Sequence, residues 1–292
     1  MRLVVPFPPG GAVDATARLI ADKLPAKLNG RTVIVENRPG AGGNIAAGVV
    51  AQAAPDGATL LVTSNNHTIN LSLYRKPGYA AEDFVPIAQV GVTAFVFVAH
   101  PSTNFRTLAD LLNAARAKPN SILYGTGGNG HPAHLAAELL MSRTGISMQH
   151  VPYKGSGPLT SDLVGGQVPV GVVSVTAAQS FVPSGQLVAL AVTSKERWPG
   201  LASVPTVAES GVGGYDYTPW IGVLGKRGMP ESEIATLQAG LLSVAGTEEA
   251  RVLLYKQGIL VLPKNSAEFR DALAQDLALN RDLIRRIGLQ LE

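Results

Sequence analysis

Strand-like and helix-like segments alternate along almost the whole chain, which restricts the fold to the α/β class. The first three strand-like segments cover residues 2–7, 32–36 and 59–63, with a helical segment in each interval. The first helical segment carries an apolar stripe, formed by Val13, Ala17, Ile20 and Leu24. The second, at residues 43–54, is rich in alanine and ends at a Pro-Asp-Gly turn. This order and these lengths predict a parallel sheet covered by helices.

A second alternating set begins after residue 100. Its strand-like segments are residues 122–124, 148–151, 168–173 and 187–192. Helical segments are expected before the first of these strands, at residues 108–117, and between the next ones, at residues 132–143 and 156–163. The last part of the chain is mainly helical and is too short to form a third domain.

These segments predict two domains that are connected by two chain crossings. We expect residues 1–98 and 220–292 to form the first domain, with strand-like residues 220–224 returning to its sheet. Residues 99–219 are expected to form the second. Crossings near 98–101 and 217–222 predict a hinge, with a ligand cleft between the domains.

Composition excludes several classes of function. The 292 residues contain no cysteine, so disulfides, thiolate zinc sites and cysteine nucleophiles are excluded. The net charge of +3 is spread along the chain, which argues against a nucleic-acid partner. The longest uncharged run, residues 163–194, is interrupted by glycine and proline and is better explained by a soluble core than by a membrane span. The N-terminus alone leaves a mature secreted form and a cytosolic protein as open alternatives.

Three glycine-rich loops, at residues 8–11, 125–130 and 154–157, precede helical segments. The first N–H groups of a helix have no partner within the helix, and glycine lets an anion approach them closely. The loops are therefore candidates for carboxylate or phosphate binding. They lack the Gly-Lys-Ser/Thr ending of a P-loop and the spacing of a dinucleotide fingerprint, so nucleotide hydrolysis is unsupported.

Other polar residues have both a functional and a purely structural interpretation. His131, His134 and Glu138 share one helix face and could form a metal or acid/base site, but packing and capping are favoured because no second ligand cluster exists. Asp14 is expected near the first turn of its helix, where it could fix the loop around a ligand. Trp220 is either a core residue or an aromatic lid.

Several long motifs together resemble one family. They include VVPFPPGGAVDATARLIADKL, VIVENRPGAGGN, YGTGGNGHPAHLAAELL, HVPYKGSGPLTSDLVGGQV and VPTVAESG, in that order over nearly the whole chain. They identify the sequence as similar to the Bug family of periplasmic solute receptors, which serve tripartite tricarboxylate transport systems.

The resemblance implies a two-domain periplasmic-binding-protein fold of the Venus-flytrap type (type II). It implies a small carboxylate held between the domains and delivered to membrane subunits, with no catalysis, cofactor or metal. It further implies a periplasmic monomer whose secretory leader has been removed.

Carried over residue by residue, the resemblance also names a candidate ligand site. The first loop would contribute Phe7, Pro9, Gly10, Gly11, Val13 and Asp14. The opposing walls would contribute Ser64, Asn65, Asn66, His67, Thr126, Gly127, Gly128, Asn129, Gly130, His131, Tyr153, Lys154, Gly155, Val173, Ser174 and Trp220.

Two departures from the family pattern bear on the ligand. His131 stands where many relatives have a small residue, and it adds an imidazole that is a donor or, when charged, a cation. Val173 stands where many have aspartate, so the acceptor that an amino-acid ammonium needs is missing. A di- or tricarboxylate or an aromatic acid is therefore favoured. A sensory receptor and, less favoured, an enzyme built on His131, His134 and Glu138 remain alternatives.

Overall fold

Two β-sheets organise the chain in the computed structural model, which describes residues 1–292. The strands are β1 Arg2–Val5, β2 Ile34–Asn37, β3 Thr59–Ser64, β4 Phe84–Val92, β5 Phe95–Ala99, β6 Leu123–Thr126, β7 Gln149–Pro152, β8 Val170–Ser174, β9 Val188–Val192, β10 Trp220–Lys226 and β11 Leu260–Lys264. The helices are α1 Ala12–Lys23, α2 Asn44–Ala51, α3 Asn66–Leu73, α4 Leu108–Ala117, α5 Pro132–Thr144, α6 Ser156–Val164, α7 Val175–Phe181, α8 Glu231–Ala245, α9 Glu248–Lys256 and α10 Ser266–Ile287. The expected α/β class is confirmed.

The chain divides into two units, Met1–Val92 with Pro219–Glu292, and Thr93–Thr218. The predicted first boundary, after residue 98, falls inside β5 and is too late. The physical reason is strand pairing: β5 forms antiparallel ladders with β8 and β9 of the second unit. Val92, in contrast, still pairs with Trp220 of the first unit.

The first unit contains the six-stranded sheet, in the order β11-β4-β10-β3-β1-β2. The three N-terminal strands are parallel, as predicted. β10 returns between β3 and β4 and is antiparallel to both, which confirms the expected returning strand. β4 and β11 were not predicted. The sheet is mixed rather than wholly parallel because β10 and β11 run antiparallel to the N-terminal strands.

Both faces of this sheet are covered by helices. Residues of α1, α8 and α9 pack on one face, with Leu3 and Val5 of β1. Residues of α2, α3 and α10 pack on the other, with Val4 of the same strand. The alternation along β1 follows from the two-residue period of a strand and explains why all three residues are fully buried.

The second unit contains the five-stranded sheet, in the order β7-β6-β8-β5-β9. β6 is parallel to both β7 and β8, so the carboxyl ends of these three strands meet at one edge. In the first unit, the carboxyl ends of β1, β2 and β3 meet in the same way. Ligands of open α/β sheets bind at such edges, and all three glycine-rich loops lie there. No helix of the structure combines the length and the apolar character needed to cross a membrane.

Candidate functional site

The loop between β1 and α1 is held by the carboxylate of Asp14, which is 2% exposed. Its Oδ2 accepts hydrogen bonds from the N–H of Gly10 at 2.9 Å and from Nε of Arg18 at 2.8 Å. Its Oδ1 accepts from Nδ2 of Asn37 at 2.8 Å, and the same amide donates to the carbonyl of Phe7 at 3.0 Å. Asp14 therefore ties both ends of the loop to the start of α1 and to the end of β2.

The pKa of Asp14 lies below its ordinary value. Burial on its own raises the pKa, but the hydrogen bonds from Arg18, Gly10 and Asn37 together outweigh it. The carboxylate is thus ionised at neutral pH, and its charge stabilises the positive end of the α1 dipole.

This arrangement leaves backbone donors free at the N-terminus of α1. Gly11 is the N-cap residue, and no side chain caps this end of the helix. The N–H groups of Gly11, Ala12 and Val13 can therefore donate to a ligand, whereas the N–H of Gly10 is used by Asp14. Val13 can contribute only its backbone, because its side chain is in the core. A Cβ placed on Gly11 would meet no atom within 4 Å, so the space in front of these donors is open.

The neighbouring strand β3 ends in Ser64, followed by two asparagines. Ser64 lies at the carboxyl end of β3 and donates from its hydroxyl to Oδ1 of Asn66 at 3.2 Å. Asn65 is the N-cap residue of α3 and is almost fully buried. These three predicted residues therefore lie at the same sheet edge as the first loop.

The structure places His67 and Trp220 in the interior of the first unit. The ring of His67 stacks on Tyr79 with centroids 4.7 Å apart and meets the edge of Phe84 at 4.6 Å. Trp220 packs against Phe269, and its Nε1 donates to Asp276 at 2.8 Å. Of the two alternatives for Trp220, a core residue or an aromatic lid, the structure shows the core residue. The expectation that both side chains belong to the ligand wall is corrected, because aromatic packing holds each ring inside the unit.

In the second unit, the loop after β6 is fixed from behind by side chains. Oγ1 of Thr126 bonds to Nε2 of His150 at 2.7 Å and accepts from the N–H of Gly128. The N–H of Gly130 donates to Nδ1 of His134 at 3.2 Å. The N–H of Gly130 is therefore not a free donor. Asn129 is the exposed residue of this loop.

His131 is a neutral donor rather than a cation. Burial, and to a smaller extent the nearby His134, lowers the pKa of His131 to about 4. Its Nδ1 accepts a hydrogen bond from the N–H of Ala133 at 3.1 Å and so caps α5. Since Nδ1 is an acceptor, the proton of the neutral ring is on Nε2, which can donate to a ligand.

Behind the loop, His134, His150, Tyr124 and Glu138 form one packed cluster. The two imidazoles stack with centroids 3.8 Å apart. Glu138 accepts from the hydroxyl of Tyr124 at 2.9 Å and lies 3.5 Å from Nε2 of His134. No group of three or more His, Asp or Glu side chains has an arrangement that could hold a metal ion. His131 and His134 thus take part in capping and stacking, and Glu138 accepts a hydrogen bond from Tyr124.

The loop after β7 leads to a second helix without a side-chain cap. The N–H of Gly155 donates to the carbonyl of Gly127 at 3.1 Å, which joins this loop to the loop after β6. Gly155 has a φ of +104° and is the N-cap residue of α6, where no side chain accepts a hydrogen bond. Tyr153 is held by Asp162 at 2.8 Å, and Lys154 is exposed. The N-terminus of α6 therefore lacks a side-chain cap like that of α1, but only Ser156 and Gly157 keep free N–H donors, because Pro158 has none.

The last two predicted residues, Val173 and Ser174, are the C-terminal residues of β8, which lies beside β6 in the sheet. Val173 is 2% exposed and pairs with Val96 of β5. Ser174 caps α7 by accepting from the N–H of Ala177 at 3.3 Å.

Sequence reasoning missed Ala12, Arg18 and Asn37. The motif ENRPG contains Asn37, but its contact with Asp14 depends on the pairing of β1 with β2.

The two mixed sheets, with polar loops at the carboxyl ends of their parallel strands, define a two-domain periplasmic binding protein. The family profile described as "Tripartite tricarboxylate transporter family receptor" matches residues 16–289. The chain belongs to this family of periplasmic solute receptors.

Individual relatives agree with this assignment. The chain is 32% identical to the protein BugT of Bordetella pertussis over 295 residues, covering 100% of this chain and 90% of the relative. A structure of an R. palustris protein with adipate has a TM-score of 0.82 and 32% identity, covering 99% and 97% of the two chains. MatC from Rhodopseudomonas palustris with bound malate has a TM-score of 0.77 and 28% identity, covering 97% and 98%.

The central role of Asp14 predicts the effect of its removal. Replacing it by Asn (Asp14→Asn) turns one acceptor oxygen into a donor, which then faces Gly10 and Arg18 or Asn37. We expect the free energy of unfolding to fall by about 1–3 kcal/mol in denaturant titrations. Asp22→Asn, at an exposed position of the same helix, is the matched control and should change little. Equal stability of Asp14→Asn and wild type would contradict this role.

The histidine cluster predicts a dependence of stability on pH. Burial, reinforced by His134, lowers the pKa of His150 from 6.5 to about 4. Between these values the unfolded chain binds more protons than the folded one. The contribution of His150 to the free energy of unfolding is therefore fully present above pH 6.5 and is lost as the pH falls towards 4. His150→Gln should make this loss shallower in unfolding titrations across the window. The control His100→Gln removes an imidazole outside the cluster, and parallel curves for His150→Gln and wild type would refute the assignment.

Proposed function

We propose that this chain is an extracytoplasmic solute receptor that binds a small organic carboxylate for a tripartite tricarboxylate transporter. The observation that carries the proposal is the uncapped N-terminus of α1, which Asp14 holds open in front of a glycine loop. Backbone N–H groups at a helix N-terminus favour an anion through both hydrogen bonds and the helix dipole. The receptor does no chemistry on its ligand, acts in the periplasm as a monomer and delivers the acid to the membrane subunits.

Four observations favour an aliphatic dicarboxylate as the ligand. Helix N-termini without a side-chain cap lie at the carboxyl edge of both sheets, among them those at Gly11 and at Gly155. Adipate and malate, the acids bound by the two similar structures, each carry two carboxylates. The neutral Nε2–H of His131 adds a directional donor without adding charge. The buried Val173 offers no acceptor to an ammonium group, so amino acids are disfavoured.

The proposed function predicts stabilisation by dicarboxylates. At about 100 times its dissociation constant, a ligand that binds only the folded state adds about 2.7 kcal/mol to stability. A thermal-unfolding screen of malate, succinate, adipate, citrate, benzoate and glutamate should show a shift for one or more of the dicarboxylates and none for glutamate. A shift for amino acids alone would overturn the assigned ligand class.

The role of the first loop is tested by Gly11→Leu. The backbone of Gly11 has a φ of −84°, which leucine tolerates, and its side chain would project into open space in front of the helix N-terminus. We expect the fold to persist and the affinity for the acid found in the screen to fall at least about tenfold, or ~1.4 kcal/mol, by calorimetry. Gly213→Leu, at an exposed glycine with open space but outside the loops, is the control. Unchanged affinity of Gly11→Leu would remove this loop from the site.

A further inference from the structure

The first unit contains an open cavity of about 810 Å³, and no residue of the glycine loops lines it. It is bordered by α3, α8 and α10 and by the strands β4 and β10, and much of its lining is apolar, as illustrated by Leu71, Phe84, Leu224, Ile234, Leu273 and Leu277. Its volume lies in the range of about 300–1,000 Å³ that is typical of small-molecule sites. Of the residues assigned to the carboxylate site, His67 alone lines it.

His67 is the polar group of this cavity that the protein leaves unsatisfied. The residue is 6% exposed, and its Nδ1 is buried without a hydrogen-bond partner. The stack on Tyr79 and the edge contact with Phe84 hold the ring in place, so it cannot turn to find a partner elsewhere. Nδ1 itself is closed to the cavity, but His67 belongs to the lining, so a ligand there can meet the part of the imidazole that borders the cavity.

Charge indicates what kind of ligand fits. The charged residues at the lining are Arg227, Arg270, Glu82 and Glu231, all exposed and none in an ion pair, so their charges cancel. Burial lowers the pKa of His67 to about 3, so its ring is neutral at physiological pH. A neutral imidazole offers one donor and one acceptor, which suits a hydroxyl group.

We propose that this cavity is a second ligand site, which binds an uncharged apolar molecule through one hydroxyl hydrogen-bonded to His67. Alkylphenols and medium-chain alcohols have this chemistry. The apolar body replaces contacts with water by contacts with the leucine and isoleucine side chains, and the hydroxyl bonds to the part of the imidazole that lines the cavity. The site does not depend on the proposed carboxylate function, because its lining contains no residue of the glycine loops.

The test compares 4-butylphenol with butylbenzene, which differ by one hydroxyl, in calorimetric or NMR titrations of the full chain. Wild type should bind the phenol about five- to tenfold more tightly, the size of one net hydrogen bond. His67→Phe keeps the aromatic stack and removes both ring nitrogens, so the two probes should bind it about equally. An undiminished preference for the phenol in this variant would overturn the role of His67.

A second variant locates the site even if His67→Phe fails to fold. Ala274→Trp, at an exposed lining position of α10, should weaken the binding of both probes at least tenfold by filling the cavity. Ala278→Trp, one helical turn further on and outside the lining, is the matched control. Gly11→Leu should leave phenol binding unchanged. No binding of either probe to wild type, or binding that Ala274→Trp leaves unchanged, would refute a site in this cavity.

Discussion

The buried carboxylate of Asp14 is the interaction on which the first loop depends. Burying a charge is costly unless it is paired and hydrogen-bonded, and Asp14 meets this condition with donors from Gly10, Arg18 and Asn37. Asp14 takes the N–H of Gly10, and the next three donors along the chain have no side-chain cap. One interaction thus fixes the shape of the loop and decides which backbone groups can meet a ligand.

The three glycine-rich loops resemble one another in the sequence, but the structure gives them different roles. α1 and α6 begin at Gly11 and Gly155 without a side-chain cap, whereas α5 is capped by the imidazole of His131. Capping uses the very donors that an anion would need. The loop after β6 is instead held by Thr126 and the stacked histidines behind it. We therefore infer that it contributes shape and the Nε2–H of His131, more than a row of free backbone donors.

Patterns that depend on neighbouring residues could be predicted from the sequence, and patterns that depend on distant ones could not. α4 begins at its predicted residue because the capping box of Thr107 and Asp110 is local. β4 was missed because Pro86 and Gly91 are typical of turns, although the strand tolerates Pro86 beside an irregularity in its pairing with β10. The candidate loops were found from their glycines. The interior positions of His67 and Trp220 were not, because Tyr79 and Phe269 reach them only through the tertiary fold.

Backbone donors recognise any carboxylate, so discrimination between acids has to come from side chains. His131 is the side chain best suited to this, since its Nδ1 is committed to Ala133 and its Nε2–H has a fixed direction. A neutral donor in a fixed direction responds to where an oxygen is placed on the ligand, whereas a cation would respond mainly to total charge. Affinity among dicarboxylates should then follow chain length and hydroxyl position more closely than the number of charges. Such a ranking would show that the site selects its ligand by hydrogen-bond geometry and not by positive charge alone.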